Sequence, residues 1–382
     1  MKTILFVSHA AELNGAERML LETLRKIDRS RFRPLLAVPR SGPLVHAAGE
    51  AGVPTRIIPM KWWLTERGKI WKQLPARVWN VAGVRRLAAW IREENAAAVF
   101  SNSAASFAGA LAARKTNRPH IWLIHEVLDG PRPILCYLFG RRRLVRRIRR
   151  LSTVVAVNSF ETARAFGGAS AVRLVPVGID TARPSGDPDA LRAELGVEAD
   201  DIVVAVVGKI YPDKGQMEAL RAVESLLPAQ PRLRLLVVGD PADRRYAARL
   251  EKAAASKTLR GRVVFTGFRN DLRNLFGIVD VLVVPSRVES FGRAALEAMV
   301  AGVPVLAVPE GGLKEFVIPG ETGFLSGDAT AAGLAAALSR ILNDPDEARR
   351  IAARAAERTA AERSLEAQVG EIERILEDVL VR

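Results

Sequence analysis

Short apolar runs alternate with longer amphipathic stretches along nearly the whole chain. The runs 3–8 (TILFVS), 35–38 (LLAV), 55–59 (TRIIP), 97–102 (AAVFSN), 120–125 (HIWLIH) and 153–158 (TVVAVN) are short and mostly apolar, which predicts buried strands. Between them, apolar residues at i, i+3 and i+4 predict helices over 16–27, 83–92 and 103–115. Strands and helices in alternation predict a parallel sheet covered on both faces. The rhythm breaks at 175–190 (VPVGIDTARPSGDPDA), where Pro, Gly and Asp read as an interdomain linker. It restarts with five further strands, at 201–208, 233–240, 262–267, 280–286 and 303–308. A last amphipathic stretch, AERSLEAQVGEIERILEDVL, predicts a helix long enough to dock back across a cleft. The expected fold class is α/β, with two doubly wound Rossmann-like domains, 1–175 and 191–362, facing a central cleft. A linker at 176–190 joins them, and a helix over 363–382 crosses back to the first domain.

At 382 residues the chain exceeds what one core usually supports, in keeping with two domains. Its single cysteine, Cys136, excludes a disulfide framework or a thiolate metal cluster and fits a reducing compartment. The N-terminal apolar run is about five residues long, which reads as a first strand and not a signal peptide. No apolar run approaches the ~20 residues of a membrane-spanning helix. A soluble, cytoplasmic protein is expected.

Charge divides the chain unevenly. The net charge is +15, yet residues 1–185 hold 31 Lys and Arg against 12 Asp and Glu, and the remainder 26 against 30. All six tryptophans (Trp62, Trp63, Trp71, Trp79, Trp90 and Trp122) also fall in the first half. The first half is therefore expected to meet something anionic or membranous. Seven arginines crowd 141–150, around a narrow apolar stripe of Leu144, Val145, Ile148 and Leu151. That pattern describes a helix lying on an anionic membrane, with Arg142, Arg143, Arg146, Arg147, Trp62 and Trp63 as membrane or acceptor contacts. A solvated charge run with Trp packed in a core is the bland alternative. Nucleic acid as partner is not supported, since no helix-turn-helix, RNA-binding signature or zinc module is present.

Candidate chemistry lies at strand ends. The stretch 289–304 (ESFGRAALEAMVAGVP) follows the strand at 280–286 and opens a helix, so Glu289 sits in the turn and Glu297 inside the helix. Ligands in doubly wound sheets bind at such carboxyl edges. Free N–H groups of Phe291, Gly292 and Arg293 suit a phosphate, and a carboxylate suits the paired hydroxyls of a sugar. On spacing alone, two solvated glutamates explain the pair equally well. VVGKIYPDKG (206–215) places Lys209 and Lys214 at another strand's edge, where two cations suit a diphosphate. HAAELNGAER (9–18) offers Gly15 and a helix N-terminus after the first strand. It is neither a GxGxxG fingerprint nor a P-loop, so nicotinamide and ATP chemistry are unsupported. The two DPD triplets, 187–189 and 344–346, read as turns or caps and not as metal ligands.

In order along the chain, NGAER, IHE, VPVGID, VGKIYPDKG, the long segment 265–308, GG at 311–312 and GETGFL at 320–325 resemble the retaining glycosyltransferases of GT-B fold called family 4. The likeness runs from about residue 3 to 345 and is densest over 201–325, with Glu289 and Glu297 as the family's Glu-x7-Glu pair. The resemblance implies that Glu289 contacts the donor sugar's hydroxyls and Glu297 the nucleoside ribose. Lys209 and Lys214 would neutralise the donor diphosphate, with Ser290 and the amides of Phe291 and Gly292 in the same donor-binding turn and Phe268 by the base. Lys209 stands where many relatives carry Arg, which keeps the charge and loses the planar fork. Gly15 would border the diphosphate. Asn14 replaces a common glycine there, which is tolerable because Asn also adopts positive φ. A histidine ending a strand is more often structural, but the resemblance implies that His125 lies beside the transferred sugar without acting as a covalent nucleophile.

The expected function is thus transfer, with retention, from a UDP- or GDP-sugar to a glycan or lipid-linked acceptor, by a peripheral enzyme on the cytoplasmic membrane's inner face. No metal and no cofactor beyond the nucleotide sugar as co-substrate are expected. A sugar-nucleotide epimerase of the same fold, or a non-catalytic nucleotide-sugar-binding partner subunit, remain alternatives. Oligomeric state, sugar, base and acceptor are not legible.

Overall fold

β-Branched and aliphatic runs become strands, and those in the middle of each sheet are buried on both faces. The computed structural model describes residues 1–65, 71, 73–129, 135–182 and 184–381, and for 74–77 the backbone only. The chain forms two units, Met1–Gly178 with Leu365–Arg382, and Ile179–Ser364.

In the first unit a parallel sheet runs β3-β2-β1-β4-β5-β6-β7. Its strands are β1 (Lys2–Ser8), β2 (Phe32–Val38), β3 (Thr55–Ile57), β4 (Ala98–Asn102), β5 (His120–Ile124), β6 (Val154–Val157) and β7 (Arg173–Leu174). Helices α1 (Gly15–Lys26), α2 (Pro43–Glu50), α3 (Gln73–Glu93), α4 (Ala108–Lys115), α5 (Arg141–Leu151) and α6 (Phe160–Arg164) connect them. In the second unit a parallel sheet runs β10-β9-β8-β11-β12-β13, from β8 (Ile202–Val207), β9 (Leu233–Val238), β10 (Val263–Gly267), β11 (Val281–Val284), β12 (Val305–Ala307) and β13 (Phe324–Leu325). Its helices are α7 (Pro188–Leu195), α8 (Gln216–Leu226), α9 (Arg244–Ala254), α10 (Leu272–Leu275), α11 (Arg293–Val300), α12 (Ala331–Asn343) and α13 (Pro345–Glu362). A final helix, α14 (Leu365–Val381), belongs to the first unit.

Several expectations need correction. The helix expected over 103–115 starts only at Ala108, because Ser103 and Ser106 turn their hydroxyls onto the N–H groups of Ala105 and Ala108 and hold the backbone out of the helix. The C-terminal amphipathic stretch forms one helix as expected, α14, which begins at Leu365 after α13 has ended at Glu362. Between them the Arg363 carbonyl accepts from the Ile179 N–H at 2.8 Å, so the two strands of chain that leave the second unit are bonded to one another. Within the expected linker, Pro188 already opens α7, capped by Asp187; Asp344 caps α13 in the same way. The long connection 60–79 falls partly outside the described residues, at 66–70 and 72.

Besides its buried apolar face, helix α14 carries one buried polar side chain that bonds it to its neighbours. The Gln368 amide donates to the Met19 carbonyl (3.1 Å) and the Thr23 hydroxyl (2.9 Å) of α1 and accepts from the Gly178 N–H (2.9 Å).

The arginine run does form a helix, α5, but its apolar stripe does not face outward. Leu144, Ile148 and Leu151 pack into the unit's own core with Trp63, Phe107 and Trp122. The amphipathic pattern is therefore satisfied internally, and a helix resting on a bilayer by that stripe is ruled out. Trp63, expected as a membrane or acceptor contact, is 2% exposed and belongs to the same core, whereas Trp62 is 43% exposed. Among the described residues no helix is long and apolar enough to cross a membrane.

Candidate functional site

Each sheet reverses its strand order once, and the candidate residues gather there. In the second unit the reversal lies between β8 and β11, so the loops leaving those strands, 208–215 and 285–292, emerge side by side. Backbone stitches them: the Arg287 N–H donates to the Asp213 carbonyl at 2.8 Å. Gly215 is forced, since its φ is +69° and a Cβ would lie 2.3 Å from the Pro285 carbonyl oxygen.

The two loops bring Lys214 onto Glu289, Nζ to Oε2, at 2.6 Å. Both side chains are largely buried, 20% and 11% exposed. Burial pulls the Lys214 ammonium toward neutrality, but Glu289, with Tyr211, outweighs it and raises the pKa above the usual lysine value. Burial likewise raises the Tyr211 phenol. Lys209, two residues past the end of β8, is exposed, and among the described residues it has no ion pair. Glu297 lies in α11 and is held by Arg293 at 2.8 Å. The helix starts at Arg293, after Gly292 at φ +95°. Phe291 turns its ring into the core against Phe316, centroids 5.1 Å apart, which leaves only its backbone to the turn's open side. Phe268 follows β10, half exposed, its N–H on the Asp240 carboxylate.

Gly311 and Gly312, noted in the sequence only as part of a likeness, prove to support this turn. A Cβ on Gly311 would lie 1.7 Å from the Glu289 carbonyl oxygen, and one on Gly312 2.5 Å from that of Ser290. A double glycine followed by an apolar residue was the signal available.

In the first unit the reversal lies between β1 and β4. Gly15 opens α1 behind the β1 loop, and Asn14 there is extended at φ −79°. The expectation that Asn14 exploits positive φ is thus corrected: it is the helix N-cap and needs no left-handed backbone. His125, just past β5, bonds through Nε2 to the Asn102 side-chain oxygen at 2.8 Å. The Asn102 amide nitrogen donates to the Ala16 carbonyl, so its oxygen must accept; His125 therefore carries its proton on Nε2 and leaves Nδ1 as an acceptor. Asn102, which ends β4, and Glu126, whose carboxylate accepts from Ser103 Oγ and from the N–H groups of Ala104 and His125, hold His125 and its loop in place, and the sequence reading gave neither of them that part. Ser103 is held at φ +112°, a strained backbone at the sheet's reversal.

Burial depresses the His125 pKa to about 4, opposed by Glu126 and assisted by His9; burial depresses that of His120 to about 3. Both lie below the ordinary histidine value, so their contribution is complete above about pH 6.5 and is lost as pH falls through the folded values. The melting temperature of the first unit should therefore drop between pH 6.5 and 4, by the equivalent of a few kcal/mol. His120→Gln and His125→Gln should each flatten that slope; an unchanged slope in both would assign the acid loss to other groups.

Residues 13–183 match the family described as Glycosyltransferase Family 4, and residues 187–358 match Glycosyl transferases group 1. The Anabaena protein HepE, solved in complex with UDP-glucose, superposes with a TM-score of 0.84 at 25% identity, over 99% of this chain and 100% of that one. A D-inositol 3-phosphate glycosyltransferase of Nocardia farcinica is 35% identical over 236 residues, 59% of this chain and 52% of its own length. A lipopolysaccharide 1,2-N-acetylglucosaminetransferase of Salmonella typhimurium is 38% identical over 168 residues, 41% and 43%. The chain spans about half the length of these curated relatives.

Proposed function

The chain belongs to the GT-B glycosyltransferases of family 4, and on that premise we propose that it moves a sugar, with retention, from a UDP- or GDP-sugar to a glycan or lipid-linked acceptor at the cytoplasmic membrane's inner face. The observation that carries this reading is the Lys214–Glu289 pair at the reversal point of the second sheet. The two charges neutralise each other. A nucleotide sugar offers each a better partner: its diphosphate takes the ammonium, and its hydroxyls take the carboxylate. Lys209 adds a second cation, and Glu297, oriented by Arg293, accepts the ribose diol. His125 offers Nδ1 to a sugar hydroxyl, fixed by Asn102. Bond breaking is then served by stabilising charge on the departing diphosphate, which takes the acceptor's proton on the same face, with no covalent intermediate. HepE's complex with UDP-glucose and the lipopolysaccharide transferase support donor and acceptor class.

A thermal-shift panel of UDP- and GDP-sugars tests the donor, since a ligand raises the melting temperature according to its affinity. With the donor found, Lys214→Ala should weaken nucleoside diphosphate binding by about 1.5–3 kcal/mol and leave the bare nucleoside nearly unaffected. Equal weakening of both ligands, or no shift with any nucleotide sugar, would sink the assignment.

A further inference from the structure

With Leu144, Ile148 and Leu151 buried, the arginines of α5 are left for the helix's other faces. Four of them, Arg143, Arg146, Arg147 and Arg150, join Arg114 of α4 around a cavity of about 490 Å3. Leu111, Tyr137, Phe139 and Leu151 give the same cavity an apolar wall. Their neighbours on α5 are engaged: Arg141 pairs with Asp129 at 2.7 Å, and Arg149 donates to the Phe166 carbonyl. Among the described residues, none of the five lining guanidiniums meets a carboxylate; Arg147 instead lies over the Trp63 and Phe107 rings, at 5.6 and 5.8 Å. Arg143, Arg146, Arg147 and Arg150 are also spaced three and four apart, so they repel one another along the helix. An anion entering the cavity relieves that repulsion.

The lining specifies the anion further. Guanidinium forks match phosphate oxygens in pairs, and five of them suit a group carrying two or more charges. Tyr137 and Leu151 also serve the core, but Phe139, 39% exposed, and the half-buried Leu111 keep apolar surface on the cavity wall that an inorganic ion would not cover. We propose that this cavity binds the phosphate-bearing head of an amphiphile, with guanidiniums on the phosphate and the first part of the apolar chain along the wall. The cavity would then be where a lipid-linked acceptor is recognised, which rests on the transferase reading for its purpose but not for the binding itself.

The test uses dihexanoyl phosphatidic acid as a monomer below its micellar concentration, so that no bilayer takes part. Binding is measured by calorimetry to the wild type, to Arg146→Gln/Arg150→Gln, and to Arg85→Gln/Arg86→Gln, which removes equal charge from exposed positions of α3 outside the cavity. The cavity variant should bind at least about tenfold more weakly than the control, as expected for lost charge-assisted contacts. Wild type should bind inorganic pyrophosphate at least about tenfold more weakly than the lipid, because the apolar wall contributes only to the latter. Equal weakening in the two variants would reduce the cavity to general surface charge and overturn the proposal, as would pyrophosphate binding as tightly as the lipid. The melting shift produced by the nucleotide sugar should be the same in all three proteins, which verifies folding. Loss of that shift in wild type with lipid binding intact would sink the donor reading alone.

Discussion

Glu289→Gln is expected to lower turnover by two to three powers of ten while leaving nucleoside diphosphate affinity at or slightly above wild type. Gln fills the same volume but carries no charge to hold the donor's hydroxyls. The effect on the diphosphate has a sign fixed by the ion pair. There Glu289 holds Lys214 at 2.6 Å and so competes with the diphosphate for it. Removing the carboxylate's charge frees the ammonium. Transfer of labelled sugar gives the rate, and calorimetry with the nucleoside diphosphate gives the affinity. A tenfold or larger loss of diphosphate affinity would place Glu289 on the nucleotide and contradict its role at the sugar.

Gly311→Ala should be nearly as damaging, though Gly311 itself carries no chemistry. Its φ is +57°, and the added Cβ would lie 1.7 Å from the carbonyl oxygen of Glu289. Left-handed strain costs a non-glycine residue on the order of 1–3 kcal/mol. The overlap must be relieved as well, by moving either the 311 segment or the turn that aims Glu289. A displacement of about 1 Å at a catalytic group can cost 100-fold in rate. The expected result is a lower melting temperature together with a turnover loss on that order. Gly302→Ala is the matched control: φ is +77°, yet nothing lies within 4 Å of its Cβ. It should lose stability through strain alone and keep its turnover. If Gly311→Ala works as fast as wild type, the double glycine does not set the Glu289 turn.

Much of this architecture is legible without coordinates. The strand runs, the break within 175–190 and the placement of Glu289, Lys209 and Lys214 at carboxyl edges all follow from apolar periodicity and turn residues. These are local properties, carried within a few residues. The two-residue strands β7 and β13 escape such a reading because pairing with β6 and β12, not their own pattern, makes them strands. Ser103 escapes it for a similar reason: its φ of +112° is imposed by bonds to β5 and Glu126.

Partnership, in contrast, is decided only by the tertiary structure. An amphipathic stripe states that one face of α5 must be covered, not by what; Trp63, Trp122 and their neighbours cover it, so the membrane reading of that stripe fails while its arginines stay available. Adjacent Trp62 and Trp63 are indistinguishable by type, and the fold exposes one and buries the other. The residues 214 and 289 are 75 positions apart, so no spacing rule can reveal that the ammonium of one rests on the carboxylate of the other. The sequence by itself determined the elements and the edges at which chemistry could occur, because these depend on backbone preference and on period. Which side chains meet, and with what charge, required the tertiary structure, since long-range packing sets distances that local pattern does not encode.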